Sequence, residues 1–140
     1  MKHELRIKKG SRVVRKKILY PKLSYKIIGI LFDAYNNLGG GCQERYYQRA
    51  IASLLKEVGI LFEEQKSVIV KFKDKDITKS FLDFVIENKI ILEIKKGNRF
   101  LKSNIDQLYS YLRVTGLKLG ILANFTKRDL QFKRIVNINQ

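Results

Sequence analysis

Residues 83 to 96, DFVIENKIILEIKK, place ionisable side chains inside the most apolar stretch of the chain. Asp83 stands ten residues before Glu93, and Lys95 follows Glu93 by two. If Glu87, Asn88 and Lys89 form a three-residue loop, the two-residue period of paired strands sets Ile86 opposite Ile90 and Val85 opposite Ile91. Asp83 then falls opposite Glu93. Directly opposed side chains have Cβ atoms about 4.5–5.5 Å apart, where like charges destabilise a sheet. Something must compensate. One carboxyl could keep its proton. Lys95, on the same strand face as Glu93, could neutralise the pair in part. A divalent cation could sit between them, since hard cations take oxygen ligands. A two-residue turn would instead make the pair diagonal. A solvated Glu-x-Lys strand face is the competing reading in a chain with 29 lysines and arginines.

The rest of the composition narrows the chemistry. His3 is the only histidine and Cys42 the only cysteine. A Cys/His zinc site and a histidine-activated nucleophile therefore lack their residues. A disulfide framework is excluded, and a reducing cytoplasm is the expected location. Catalysis would have to use carboxylates, lysine, tyrosine or a metal held by oxygen atoms. No apolar run approaches the roughly 18 residues that span a bilayer, and no signal-peptide core follows the basic N-terminus. The formal net charge is +16 over 140 residues. Such a field attracts polyanions, with nucleic acid favoured over a membrane surface because no basic amphipathic helix stands out.

The elements that must position these groups are readable in part. Residues 1–22 carry a dense basic run and the only proline, Pro21, and read as an arm that could clamp phosphates. A single domain follows over 23–140. Ser24 is placed to cap a helix from Tyr25, in which Ile27, Ile28, Leu31, Phe32 and Tyr35 make one apolar face. LGGG, 38 to 41, stops it. A second helix from about Gln43 buries Tyr47, Ile51, Leu54, Leu55 and Val58, and Gly59 suits the left-handed position beyond its end. The glycines before that helix are not followed by Lys-Ser or Lys-Thr, so they do not read as a nucleotide-binding loop. The period then changes to two. Strands are expected at 66–72, 80–86 and 90–95, with a turn at 74–76. Ser103 and Asp106 have capping-box spacing before a helix ending at Gly116. LGILANF, 119 to 125, is an apolar strand short enough to be buried on both faces. A basic tail closes the chain. The order predicts an α/β fold with a mixed central sheet flanked by helices.

Asp83, then Glu93-Ile94-Lys95, on a strand hairpin resembles the core of the PD-(D/E)XK nuclease superfamily. GCQERYY, 41 to 47, reads G-x-x-E-x-x-Y, as in the GxxExxY proteins of that superfamily. QLYSY, 107 to 111, is similar to the Q-x-x-x-Y motif of RecB-like nucleases. GLKLGILANF, 116 to 125, and KRIV, 133 to 136, resemble the closing segments of the family. The resemblance covers roughly residues 23 to 136. Leu82 stands where the nominal proline would be, GGGC replaces a Gly-Pro-Gly, and the histidine often found before the motif glutamine is missing.

The resemblance implies a restriction-endonuclease-like core and metal-dependent phosphodiester hydrolysis. Mg²⁺ or Mn²⁺ would be held by Asp83, Glu93 and the backbone carbonyl of Ile94. Lys95 would position or deprotonate the attacking water, or stabilise transition-state charge. Glu44 would face the site and add a ligand directly or through water; read from the residues alone, it is an ordinary first-turn acid favoured by the helix dipole. Gln107 and Tyr111, four apart on one helix face, would border the site, Gln107 touching substrate or Lys95 and Tyr111 orienting it. Tyr47 is read as structural. DNA is expected ahead of RNA as substrate, and a homodimer could serve to cut two strands. A catalytically inactive nucleic-acid-binding module with the same fold is the alternative, and a partner-binding subunit a third reading.

Overall fold

The computed structural model describes residues 5–8, 12–15 and 18–138. Residues 1–4, 9–11 and 16–17 of the basic arm lie outside the described residues. Within it, β1 (Leu5–Lys8) and β2 (Arg12–Arg15) pair antiparallel as a two-stranded sheet. The helix α1 (Pro21–Leu38) starts earlier than its apolar face suggests. Pro21 occupies its first turn, where a missing N–H costs nothing. Ser24 is not the cap. It is buried inside the first turn, and its hydroxyl donates to the Leu19 carbonyl at 3.4 Å. Ile27, Ile30, Leu31 and Ala34 form the buried stripe. The helix α2 (Glu44–Glu57) buries Tyr47, Ile51, Ala52 and Leu55, and Gly59 takes the left-handed conformation beyond it (φ 75°).

Five strands follow in one sheet, in spatial order β3-β4-β5-β6-β7. They are β3 (Phe62–Phe72), β4 (Lys75–Ile86), β5 (Ile90–Lys96), β6 (Leu119–Phe125) and β7 (Leu130–Val136). All neighbours are antiparallel except β5 and β6, which run parallel across the helix α3 (Lys102–Thr115). A parallel pair needs such a crossover. The α/β class, the mixed sheet and the fully buried β6 agree with the sequence reading. Two further expectations do not hold. Residues 130–136 are not a tail but an edge strand paired along the whole of β6. Ser103 does not cap α3, which begins at Lys102 after Leu101 without a side-chain cap; Asp106 instead pairs with Lys102 at 3.0 Å.

The sheet separates two apolar layers. Ile27, Leu31, Tyr47, Ile51 and Leu55 cover Phe84, Ile86, Leu92, Ile94, Ile121 and Phe125 on one side. On the other, Leu108, Tyr111 and Leu112 of α3 cover Val68, Leu82, Val85, Ile91 and Leu122. Burial on both faces makes β5 and β6 the rigid centre from which the candidate site is suspended.

Candidate active site

The loop between β4 and β5 is the three-residue Glu87–Lys89, closed by the Lys89 N–H donating to the Ile86 carbonyl at 3.0 Å. Ile86 pairs with Ile90, Val85 with Ile91 and Phe84 with Leu92, in the register the sequence predicts. There the regular ladder stops. The next two residues use side chains in place of carbonyls. The Asp83 N–H donates to Glu93 Oε2 at 2.7 Å, and the Ile94 N–H donates to Asp83 Oδ2 at 2.8 Å. The two carboxylates are thus wedged between splayed strands, each fixed by an amide of the partner strand.

The cause of the splay is visible in β4. A regular strand would put Leu82, Phe84 and Ile86 on one face. Here Leu82 packs with Val85 under α3, while Phe84 and Ile86 pack under α1 and α2. The alternation breaks at Asp83. On β3, Gln65 stands between the pairs Glu64–Phe84 and Lys66–Leu82 and has φ +50°, a left-handed conformation uncommon without glycine. Such irregularities re-aim side chains. Gln65 Nε2 reaches Asp83 Oδ1 at 3.4 Å. No sequence signal pointed to Gln65, which lies in the charged FEEQ stretch.

The electrostatics follow from the burial. Desolvation, then the charge of Asp83, pushes the Glu93 carboxyl up to about 8. Desolvation also raises Asp83, opposed by the Ile94 amide and by Lys95. The pair therefore titrates as one unit that holds a proton near neutral pH when no cation is bound. Lys95 is half-buried beside it and lies within the field of Asp83, Glu93 and Glu44.

The remaining candidates arrive from the helices. Glu44 is the first residue of α2, half-buried, and its carboxyl is raised by desolvation and by Asp83. Among the described residues, no three His, Cys, Asp or Glu side chains converge closely enough to form a metal-binding group by themselves. Glu44 thus stands near the pair, and the two strand carboxylates remain a pair rather than a triad. Tyr111 is buried on α3, and burial raises its phenol, opposed by a hydrogen bond with Ser80 and assisted by the charges of Glu93 and Asp83. Gln107, one turn earlier, is exposed. Ser80 is a neighbour that the sequence reading did not single out.

Tyr47 is structural in its contacts. Its hydroxyl donates to the Gly39 carbonyl at 2.6 Å and accepts from the Cys42 N–H at 3.2 Å, and its ring stacks on Phe125 at 4.2 Å. It ties down the glycine loop that delivers Glu44. Gly41 there has φ +90°, and a Cβ on Gly40 would collide with the Lys127 backbone. Asn124, beside Lys95 in the parallel ladder, is buried and donates to the Gly97 carbonyl at 3.2 Å, fixing the chain as it leaves β5.

The family model of the PD-(D/E)XK nuclease superfamily matches residues 21–135, most of the chain. The chain belongs to the PD-(D/E)XK nuclease superfamily. A solved structure, that of SSO0001, has the same fold: TM-score 0.55 at 21% identity, over 84% of this chain and 59% of that one. The present chain thus spans under two thirds of that protein's length. Among curated proteins none matches. Asp83 lies on β4, and Glu93-Ile94-Lys95 lie on β5. Most proteins of the superfamily are nucleases. Among the described residues, no helix is long and apolar enough to cross a membrane.

Proposed function

We propose that the protein is a metal-dependent nuclease that hydrolyses phosphodiester bonds in DNA, of the GxxExxY type within the RecB-like branch. One observation carries the reading. Asp83 and Glu93, two carboxylates of like charge, are held against each other by backbone amides at the open end of β4 and β5, with Lys95 beside them. The arrangement is costly for a protein that only needs to fold. The donor set suits a hard divalent cation, whose charge would offset both the repulsion and the burial.

Asp83, Glu93 and the carbonyl of Ile94 would hold Mg²⁺ or Mn²⁺, with Glu44 adding a direct or water-bridged ligand. Bound there, the ion would supply a nucleophilic water at neutral pH and offset charge on the scissile phosphate. Lys95 stands beside the carboxylates, where it can orient the attacking water or share transition-state charge. Tyr111 limits how the site can relax, because its ring is packed among Val68, Leu82 and Leu108. Gln107, exposed on the same helix face, is free to meet substrate. The net charge of +16 supplies phosphate attraction without reading sequence.

The test is cleavage of labelled single- and double-stranded DNA and RNA with Mg²⁺, Mn²⁺ or EDTA, beside Asp83→Ala and Lys95→Ala. The expected result is metal-dependent DNA cleavage lost in both variants. Binding without cleavage in any metal would instead identify an inert nucleic-acid-binding module.

A further inference from the structure

Beyond the Lys66–Leu82 pair, β3 and β4 continue as a two-stranded ribbon to Phe72–Lys75. At about 3.4 Å per residue the six steps reach roughly 20 Å. One face of its inner half turns Val68, Ser80 and Leu82 toward α3. The opposite face pairs Ser67 with Phe81 and Ile69 with Lys79. Among the described residues no helix covers it: α1 and α2 pack on each other and on β7 and β5. Phe81 is 52% exposed, and Ile69 is exposed as well.

We propose that this ribbon is a stacking platform for a nucleic-acid strand with unpaired bases, which it leads to the Asp83–Glu93 pair. The second half of that statement rests on the nuclease reading; the binding does not. On this face an ammonium group stands beside an aromatic ring: Lys79 Nζ lies 5.6 Å from the Phe81 ring centre. At the tip of the ribbon, on the other face by the alternation of β3, Lys73 Nζ lies 5.4 Å from the ring centre of Phe72. An exposed ring beside a cation fits a ligand that offers a flat π-face and a phosphate together, as an unpaired nucleotide does. A duplex keeps its bases stacked inside and would use only the lysines. Phe81 is two residues from Asp83, about 7 Å along the strand. A strand stacked on Phe81 is thus within one nucleotide or so of the carboxylates. Protein strand addition is the weaker occupant, since Lys66, Lys71 and the register shift between Val70 and Lys71 blunt the free edge of β3.

The chain contains no tryptophan, so Phe81→Trp would carry a single fluorescent reporter on the platform. It is titrated in EDTA with an oligo-dT and with a blunt duplex of equal length. Binding to wild type, Phe81→Trp and Phe81→Ala is followed in parallel by fluorescence anisotropy of labelled oligonucleotides. The expected result is saturable quenching by the single strand and little by the duplex. Phe81→Ala should weaken single-strand binding about ten-fold or more and duplex binding less than two-fold, while Phe81→Trp binds as wild type. Binding of the single strand without quenching would overturn the proposal. So would equal single-strand affinity of Phe81→Ala and wild type, equal weakening for both probes, or a change of oligomeric state in Phe81→Ala. A parallel Mg²⁺ cleavage assay separates the two ideas: platform-dependent binding without any cleavage would sink the nuclease reading and leave the platform standing.

Discussion

Replacing Glu93 by Gln should make the metal-free protein more stable, by an amount that depends on pH. In the folded state Glu93 is pushed up from 4.5 to about 8. The folded protein therefore binds a proton between these values that the unfolded chain has released. Stability from this group is fully present below pH 4.5 and is lost as pH rises toward 8. At pH 7 the chain sits 2.5 units above the unfolded value of 4.5. At about 1.4 kcal/mol per unit the cost of ionising the site is roughly 3 kcal/mol, an upper bound because the structure can relax. Glutamine keeps an oxygen for the Asp83 N–H but carries no charge. Urea unfolding in EDTA at pH 5, 6, 7 and 8 should therefore show Glu93→Gln gaining on wild type as pH rises. The gain should be small at pH 5 and about 2–3 kcal/mol at pH 7. Taking the difference between the two proteins removes the pH dependence of charges that do not interact with Glu93. Mg²⁺ should reverse the ranking, because it stabilises only the protein that can bind it. A difference independent of pH, or a variant less stable than wild type at pH 8 in EDTA, would refute the reasoning that the pair is mutually repulsive and desolvated.

Lys95→Met should reduce cleavage at least about 100-fold, as expected for loss of a charged group acting in the transition state; DNA affinity in EDTA should stay within a few-fold of wild type, checked by anisotropy. Tyr47→Phe loses the hydroxyl bonds to Gly39 and Cys42; thermal unfolding should report a loss of about 1–2 kcal/mol, with Mg²⁺ still stabilising the variant. Gly40→Ala would drive a Cβ into the Lys127 backbone; it should cost more than about 2 kcal/mol in urea unfolding, because backbone cannot rotate away as a side chain can.

The hairpin was legible because its signals are local. Three residues between two apolar runs set the register, and parity then carried Asp83 to Glu93 without further information. Gly59 and Gly116 were legible as helix ends for the same reason, both being left-handed in the structure. The strand β7 was not, since QFKRIV mixes three polar or basic side chains with its apolar ones and alternation is weak. It becomes a strand because β6 offers a free edge. The strands β3 and β4 were short in the sequence reading because FEEQ, at the inner end of β3, and DKDITK, at the outer end of the ribbon, are mostly polar. The outer residues pair in solvent, where backbone hydrogen bonds and not burial hold them. Ser24 misled because its side chain suits a cap, whereas Pro21 ahead of it was the stronger start signal.

The sequence by itself determined the types of the elements from α1 to β6, the superfamily resemblance and the opposition of Asp83 to Glu93. These depend on residue type and short-range spacing. Only the tertiary structure decided that the strands part at that pair, that Glu93 is buried deeply enough to hold its proton, and that Glu44 and Tyr111 approach from different helices. Gln65 and Ser80, which touch the site residues, appear only when β3 and α3 are laid against β4. Their positions come from contacts between segments far apart in the chain, and the field at a buried carboxylate is the sum of those contacts.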